Sequence, residues 1–180
     1  MTAIQDNLFA NILAWIVFHL SIGFGMSRIP TSWFDPDRFL YRIRGWEKGG
    51  RIYQSLCRVR AWKALIPAGG ALYTGTFSMQ NLSGTSITYL RRWVQESCRA
   101  ELCHWVMILP GLLFFLWNSA WFGCLMMAYA LLNNLPLIAL QRFNRPRIQH
   151  LLRSLERSHA EGGTDHRHAL GTTAHSEPVL

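Results

Sequence analysis

Hydrophobic and polar positions along the chain form long blocks, not the short alternations that are typical of a soluble domain. Residues 7–27 hold no charged side chain and are mostly apolar. As a helix with a rise of ~1.5 Å per residue they span ~30 Å, the thickness of a bilayer's hydrocarbon core. A second charge-free block covers residues 102–141, and as one helix it would be ~60 Å long. Because that is about twice the bilayer core, this block has to turn back on itself.

The turn is predicted at Trp117-Asn118-Ser119, where two polar residues interrupt the apolar run and a tryptophan is available for a membrane interface. The pattern thus predicts three transmembrane helices, near residues 8–26, 102–118 and 120–140. A cleaved signal peptide is the alternative for the first segment. Its leader has no basic residue and no small-x-small cleavage site follows it, so we expect an uncleaved anchor.

Charged residues are few and unevenly distributed. Only 16% of the 180 residues are Asp, Glu, Lys or Arg, against about 25% in soluble chains, and the net charge is +8. Most of the excess positive charge lies in residues 28–101, and basic loops stay in the cytoplasm. We therefore expect a multi-pass protein of the cell membrane, with the N-terminus and the turn outside and with loop 28–101 and the C-terminus cytoplasmic.

The basic loop also contains many aromatic residues, which are interleaved with Lys and Arg over residues 28–63. Rings settle among lipid headgroups while Lys and Arg meet anionic phosphates. Nucleic acid would attract the same residue types, but tethering to a bilayer makes membrane lipid the expected partner. Residues 64–90 are uncharged yet too polar for a lipid-exposed span, so we predict a surface loop or a shallow re-entrant element there, with helix resuming near Ile87.

Prolines mark the end of the third predicted span. Pro136, beside two asparagines, suggests a local break, and Pro146 suggests the exit. Apolar residues at helical spacing over 148–155 predict a short amphipathic helix on the cytoplasmic leaflet or on the loop, and residues 158–180 are expected to be disordered. The fold class is therefore an all-α integral membrane protein, with one membrane-embedded domain over residues 1–157, about three transmembrane helices, a basic cytoplasmic loop and a C-terminal amphipathic helix.

A histidine and a glutamate share one helical face where the second span begins. Glu101, His104 and Ile108 have the spacing i, i+3, i+7. A histidine there can exchange a proton, and a glutamate one turn away can orient its ring. The alternative is a histidine that hydrogen-bonds to a neighbouring helix, with Glu101 as a solvated charge. His19, within the first span, is expected to pack or hydrogen-bond and could approach the same pocket.

Three arginines follow the third span, at positions 142, 145 and 147. Forked guanidinium groups can grip a phosphate or a carboxylate, although a basic cluster is also the usual stop-transfer signal of a membrane protein. The four cysteines form no C-x-x-C pair and predict neither a disulfide framework nor a zinc site. The chain has no G-x-S-x-G, P-loop, G-x-G-x-x-G or H-E-x-x-H motif.

Several stretches carry a resemblance to a known family. The most specific are Arg99-Ala-Glu101-Leu-x-His104-Trp105, Asn134-x-Pro136 and Gln141-Arg142-Phe143-Asn144-Arg145-Pro146-Arg147. Upstream pieces agree in order and spacing, namely Arg28-Ile29-Pro30, Glu47-Lys48-x-Gly50 and Val59-Arg60-x-Trp62-Lys63. From about residue 28 to 157 the chain resembles the glycosyl-4,4'-diaponeurosporenoate acyltransferase family, which performs the last step of staphyloxanthin-type carotenoid biosynthesis.

The resemblance implies an ester-forming acyltransferase that moves a fatty acyl group onto a sugar hydroxyl of a glycosylated carotenoid or a related glycolipid. Its partners would be the lipidic substrate and the acyl donor, with acyl-CoA or acyl carrier protein as the co-substrate. Other enzymes of the same biosynthesis are further candidate partners. No metal and no tightly held cofactor are expected.

We hypothesise roles for individual residues within that reaction. His104 is the general base that takes the proton of the sugar hydroxyl, and Glu101 holds its imidazole in the productive tautomer. Substrate binding is assigned to a basic and amide set, in which the arginines hold donor phosphates and the amides donate to the developing oxyanion. The set comprises Arg99, Asn134, Gln141, Arg142, Asn144, Arg145 and Arg147.

Two other functions are compatible with the same residues. One is a non-catalytic membrane partner that recruits a soluble enzyme through its basic loop, in which case Arg→Lys changes at 142, 145 and 147 are tolerated because only charge matters. The other is a lipid-modifying transferase whose donor carries a different phosphate or nucleotide. The acyltransferase hypothesis instead requires the forked geometry of arginine.

Overall fold

The computed structural model describes residues 8–63, 77, 79, 82 and 84–172, with side chains as far as residue 160. The described residues form α-helices joined by turns and short 3-10 segments, with no strand among them. The helices are α1 (Leu8–Arg28), α2 (Arg51–Cys57), α3 (Val59–Trp62), α4 (Ile87–Ile108), α5 (Pro110–Leu113) and α6 (Ala120–Thr172). Three helical segments are long and apolar enough to cross a membrane. The predicted all-α membrane fold is confirmed, whereas most of the predicted loop over residues 64–90 lies outside the described residues.

The first span packs against the other two through one aromatic cluster. Trp15 stacks on Phe114 with ring centroids 4.8 Å apart, and its indole nitrogen donates to the Met126 sulfur at 3.4 Å. Most other large side chains of α1 face outward; Phe9 is 76% exposed. An apolar surface of this kind suits lipid and not water, so the span itself supplies the reason for the block of uncharged residues.

A polar clasp ties the start of α1 to the turn between the second and third spans. Asn11 and Asn118, both buried, exchange two hydrogen bonds of 2.9 and 3.0 Å, and Trp117 donates to Asn11 at 2.9 Å. Interhelical amide bonds of this kind hold membrane helices together. The N-terminal end of α1 and the turn therefore share one end of the bundle, as predicted, while the side of the membrane that they face stays a prediction.

The second span begins earlier than its apolar residues suggest. Helix α4 starts at Ile87, as predicted, after Ser86 accepts a hydrogen bond from the Tyr89 amide at 3.2 Å. It continues through α5 and a 3-10 turn to Leu116. The span is therefore longer than the predicted 102–118, because the charged residues before 102 face the third helix and are paired there.

The third span contradicts the predicted break and exit. Helix α6 runs through both Pro136 and Pro146 without interruption. The amides of Asn133 and Asn134 donate to carbonyl oxygens one turn earlier, each at 2.8 Å, so they are satisfied within the helix and do not mark a break. The amphipathic segment over 148–155 is helical, but it is a continuation of α6 and not a separate element.

Beyond residue 157 the structure also differs from the expected disorder. The backbone stays helical as far as Thr172, in a stretch that holds Ala, Glu, Leu and Arg, all good helix formers, beside less favourable Gly. Residues 173–180 of the predicted tail lie outside the described residues.

The segment between α1 and α3 does more than cover an interface. Phe34 and Tyr41 are buried with Cys98 of α4 in a second cluster, whereas Trp33 and Phe39 are exposed. Gly50 adopts a left-handed conformation with φ 81°, and a Cβ there would lie 2.6 Å from the Arg142 carbonyl oxygen. Only glycine permits both the dihedral and this approach, so Gly50 sets the docking of α2 on α6.

Candidate active site

His104 contacts Asn134 across the interface between α4 and α6. The Nδ1 atom of His104 lies 3.0 Å from Oδ1 of Asn134. Because Nδ2 of Asn134 donates to the Ala130 carbonyl, its Oδ1 is the atom that faces the imidazole, and Nδ1 is the ring nitrogen that carries the proton. In the neutral ring Nε2 is then the acceptor, which is the form that a general base requires.

His19 approaches the same place from the first span. It lies close enough to His104 for the two rings to interact electrostatically, and its Nδ1 contacts the Trp15 carbonyl oxygen at 2.8 Å. The expectation that His19 could approach this pocket therefore agrees with the structure. Three helices contribute a polar side chain at this depth.

Glu101 is not the residue that orients His104. Its carboxylate is fully buried and lies between two arginines, with Oε1 accepting from Arg142 Nε at 3.0 Å and Oε2 from Arg145 Nη2. The predicted tautomer-holding role of Glu101 is thus wrong in its partner, and Asn134 occupies that place. Two arginines outcompete a neutral imidazole for the carboxylate because their bonds are charge-assisted.

Arg142 is the centre of a buried ion network. Its Nη1 atom donates to both oxygens of Glu47 at 3.0 and 3.1 Å, and its Nη2 donates to the Leu40 carbonyl oxygen at 2.9 Å. Glu47, like Glu101, is fully buried. Two carboxylates from different elements therefore already occupy the fork that was predicted to hold a donor phosphate.

Arg145 is similarly enclosed. It is fully buried, pairs with Glu101, and donates to the Cys98 sulfur at 3.0 Å. Its guanidinium carbon lies 5.8 Å from the centre of the Tyr41 ring. A phosphate cannot reach this group without breaking the core, so the predicted donor contact of Arg145 does not fit the structure.

The remaining predicted binding residues are dispersed. Arg99 pairs with Glu96 at 3.1 Å on its own helix, and Gln141 accepts a hydrogen bond from Ser97 at 3.1 Å. For Asn144, half-buried, the described part of the chain offers no hydrogen bond. Arg147 donates to the Phe143 carbonyl and stacks over the Phe143 ring, 3.6 Å from its centre. The structure therefore brings together two clusters, His104 with Asn134 and Glu101 with Arg142 and Arg145, and not one pocket.

Tyr53 and Glu47 belong to the site although their individual roles were not predicted. The Tyr53 hydroxyl donates to Glu47 at 2.7 Å, and burial together with this hydrogen bond raises the pKa of Tyr53 above its ordinary value. The signal available in the sequence was a lone glutamate in a basic segment, followed by two glycines that predict a tight turn.

An apolar groove of about 890 Å³ runs along α6 beside this network. Its polar end is formed by Arg44, Tyr53 and Arg142. Aliphatic and aromatic side chains make up the rest of its wall, among them Phe39, Leu40, Trp46, Leu56, Trp62, Trp105, Leu131, Leu132, Leu135, Pro136, Ile138 and Ala139. A groove with a charged end and a long apolar body is suited to an amphipathic lipid.

The sequence matches a family model described as glycosyl-4,4'-diaponeurosporenoate acyltransferase over residues 30–154. Curated relatives of that name from Staphylococcus aureus strains MRSA252 and N315 are each 32% identical over 143 residues, which is 79% of this chain and 86% of the relative. The protein of strain RF122 / ET3-1 is 32% identical over 145 residues. No solved structure matches the chain. The matched region includes the ion network, the histidine contact and the groove, and the chain therefore belongs to the glycosyl-4,4'-diaponeurosporenoate acyltransferase family.

Proposed function

We propose that this protein transfers a fatty acyl group to a sugar hydroxyl of a glycosylated carotenoid, or of a related glycolipid, within the membrane. Family membership supplies the reaction class and favours an enzyme over a non-catalytic recruiting partner. The observation that carries the substrate class is the groove, whose apolar body suits a long chain and whose polar end suits a sugar or an ester.

The reaction joins the hydroxyl oxygen of the acceptor to the carbonyl carbon of an acyl thioester, such as acyl-CoA or acyl carrier protein. The carbon–sulfur bond breaks as the carbon–oxygen bond forms. The hydroxyl proton moves to Nε2 of His104 and then to the departing thiolate, which leaves as a free thiol. No oxidant, metal or further co-reactant is required for this balance.

Asn134 fixes the protonation state in which His104 accepts that proton. With Nδ1 donating to Asn134, Nε2 keeps its lone pair, and a positioned base of this type contributes about 10²–10⁴-fold to the rate. Glu101, Arg142 and Arg145 hold α4 and α6 at the separation that the contact needs. They are positioning residues in this proposal, not ligands of the donor.

We propose an orientation in which the end of the bundle with Arg142 faces the cytoplasm. The excess of Lys and Arg in residues 28–101 supports it through the positive-inside rule. A soluble thioester donor would then reach the site from the compartment in which it is made.

Pigment and lipid analysis of a strain that lacks this gene tests the function. We expect an unacylated glycosyl-carotenoid or glycolipid to accumulate, and ester formation to return when the wild-type gene is restored. The same strain carrying His104→Ala should accumulate the precursor at wild-type levels of membrane protein. An unchanged lipid profile in the deletion strain would refute the proposal.

A further inference from the structure

Three arginines meet on one side of the docking site of α2 and α3. The close approach of Gly50 to α6 fixes the position of α2. Arg51 begins α2, Arg60 lies on α3, and both are near enough to Arg147 of α6 for their positive charges to act on it. We call Arg51, Arg60 and Arg147 the arginine triad.

The triad differs from the other arginines of this region because the described part of the chain gives it no carboxylate. The ion pairs there belong to Arg91, Arg92, Arg99, Arg142 and Arg145. Within the triad, Arg51 donates to a backbone carbonyl, and Arg147 is held against Phe143. Like charges that are held together repel, and an anion bound between them removes the repulsion.

A phosphoryl group is the anion that this arrangement suits. Arginine presents paired donors that match phosphate oxygens, and a phosphate monoester or diphosphate brings enough charge to offset several guanidinium groups. Three cations with no acidic neighbour would bind a single carboxylate less well. Arg51 and Arg60 are exposed, so a ligand reaches them from solution or from a membrane surface.

The helices that carry the triad also form part of the groove. Leu56 and Cys57 of α2 and Trp62 of α3 lie in its wall, while Arg51 and Arg60 extend from the same two helices. We infer that the arginine triad binds the phosphoryl group of the acyl donor's carrier while the groove holds a lipid chain. This inference rests on the proposed function, and it replaces Arg142 and Arg145 as the donor-binding residues.

The test uses the full chain in phosphatidylcholine nanodiscs with palmitoyl-CoA as the probe and palmitate, which lacks phosphate, as its comparison. In the variant Arg51→Gln/Arg60→Gln/Arg147→Gln, we expect the Kd for palmitoyl-CoA to rise at least about 10-fold and palmitate binding to stay unchanged. The matched control Arg153→Gln/Arg157→Gln alters arginines further along α6 and should bind both probes normally. The double variant Arg51→Gln/Arg60→Gln changes exposed residues only and should show a smaller rise if the triple variant misfolds.

A second arm distinguishes the donor from a lipid headgroup. If phosphatidylglycerol nanodiscs raise the unfolding temperature of the wild type but not of the triple variant, while palmitoyl-CoA affinity is unaltered, the phosphoryl group belongs to a membrane lipid and the donor assignment is overturned. Equal behaviour of wild type and triple variant in both arms overturns the site altogether.

Activity separates this inference from the proposed function. Ester formation by the wild type, with an unchanged KM for the donor in the triple variant, removes the site but leaves the function. Triad-dependent binding of palmitoyl-CoA by a wild type that forms no ester removes the function but leaves the site.

Discussion

The imidazole of His104 and the amide of Asn134 join the second span to the third through one contact of 3.0 Å. If this contact sets the tautomer of the base, Asn134→Ala should lower kcat by about 10- to 100-fold, the range typical when the partner of a functional histidine is removed, with little change in KM. His104→Ala should lower kcat further, by about 10²–10⁴-fold. Steady-state kinetics of ester formation measures both changes.

The neighbouring amide provides the control. Asn133 is exposed and its side chain bonds to its own helix at Tyr129, so Asn133→Ala should leave kcat near that of the wild type. If Asn134 acts through His104, adding Asn134→Ala to His104→Ala should cost nothing more. Full additivity of the two losses would contradict the mechanism.

Glu101→Gln should destabilise the protein far more than the loss of an ordinary ion pair. The substitution leaves Arg142 and Arg145 buried with one carboxylate fewer, a situation that costs about 3–5 kcal/mol. Glu156→Gln is the control, because its pair with Arg91 is solvent-exposed and worth about 0–1 kcal/mol. Unfolding in mild detergent should show a clearly lower midpoint for Glu101→Gln alone, and equal midpoints would disprove the role of the network.

Gly50→Ala should weaken the docking of α2 on α6. The new methyl group would meet the Arg142 carbonyl oxygen at 2.6 Å and the residue would be strained at φ 81°, so we expect a loss of about 1–3 kcal/mol. Gly49→Ala has the strain but open space, and Gly45→Ala has neither. Unfolding midpoints should therefore fall in the order Gly45→Ala, Gly49→Ala, Gly50→Ala, and any other order would refute the packing argument.

Alkaline pH should destabilise the protein partly through Tyr53. Because burial and Glu47 raise the pKa of this phenol above its ordinary value of 10, the folded state keeps a proton that the unfolded state loses. The corresponding stability is complete below pH 10 and declines as the pH rises above it. Tyr53→Phe should show a smaller decline of the unfolding free energy between pH 9 and 11.

Tyr41 acts in the same direction, since burial raises its pKa as well. Tyr41→Phe is therefore compared beside Tyr53→Phe, and the double variant should have the flattest pH dependence. A Tyr53→Phe profile that is parallel to that of the wild type would mean that the hydroxyl is not held by Glu47.

Filling the groove should change which acyl chains are used. Leu135 lies in its wall, and Leu135→Trp should lower kcat/KM for long acyl donors by about 10-fold or more while sparing short ones. Leu112→Trp alters a similarly exposed leucine on α5 outside the groove and should not discriminate by length. Competition between donors of two chain lengths measures the ratio directly.

Length and uncharged character were sufficient to predict the three spans and the turn at Asn118, because they depend on the bilayer and on local sequence. The continuity of α6 through Pro136 and Pro146 was not predictable in this way. A proline weakens a helix locally, and whether the helix persists depends on what packs against it. Gly50, which is distant in sequence, approaches α6 at Arg142, the residue whose carbonyl Pro146 cannot serve as a donor.

The partner of Glu101 was mispredicted for a related reason. The i, i+3 spacing suggested His104, but such spacing describes only neighbours on one helix. Arg142 and Arg145 come from another helix, and burial strengthens their attraction to the carboxylate. The motif residues themselves were identified from the sequence, whereas their pairing required the fold.

One uninterrupted helix carries both Asn134 and Arg147, and this makes α6 a ruler. At ~1.5 Å per residue the two positions are ~20 Å apart along the axis. A donor that reaches His104 while its phosphate rests on the triad must have a slender arm of that length between thioester and phosphate. An activated acyl group joined directly to phosphate would be too short, so the rigidity of this rod selects the architecture of the donor before any chemistry begins.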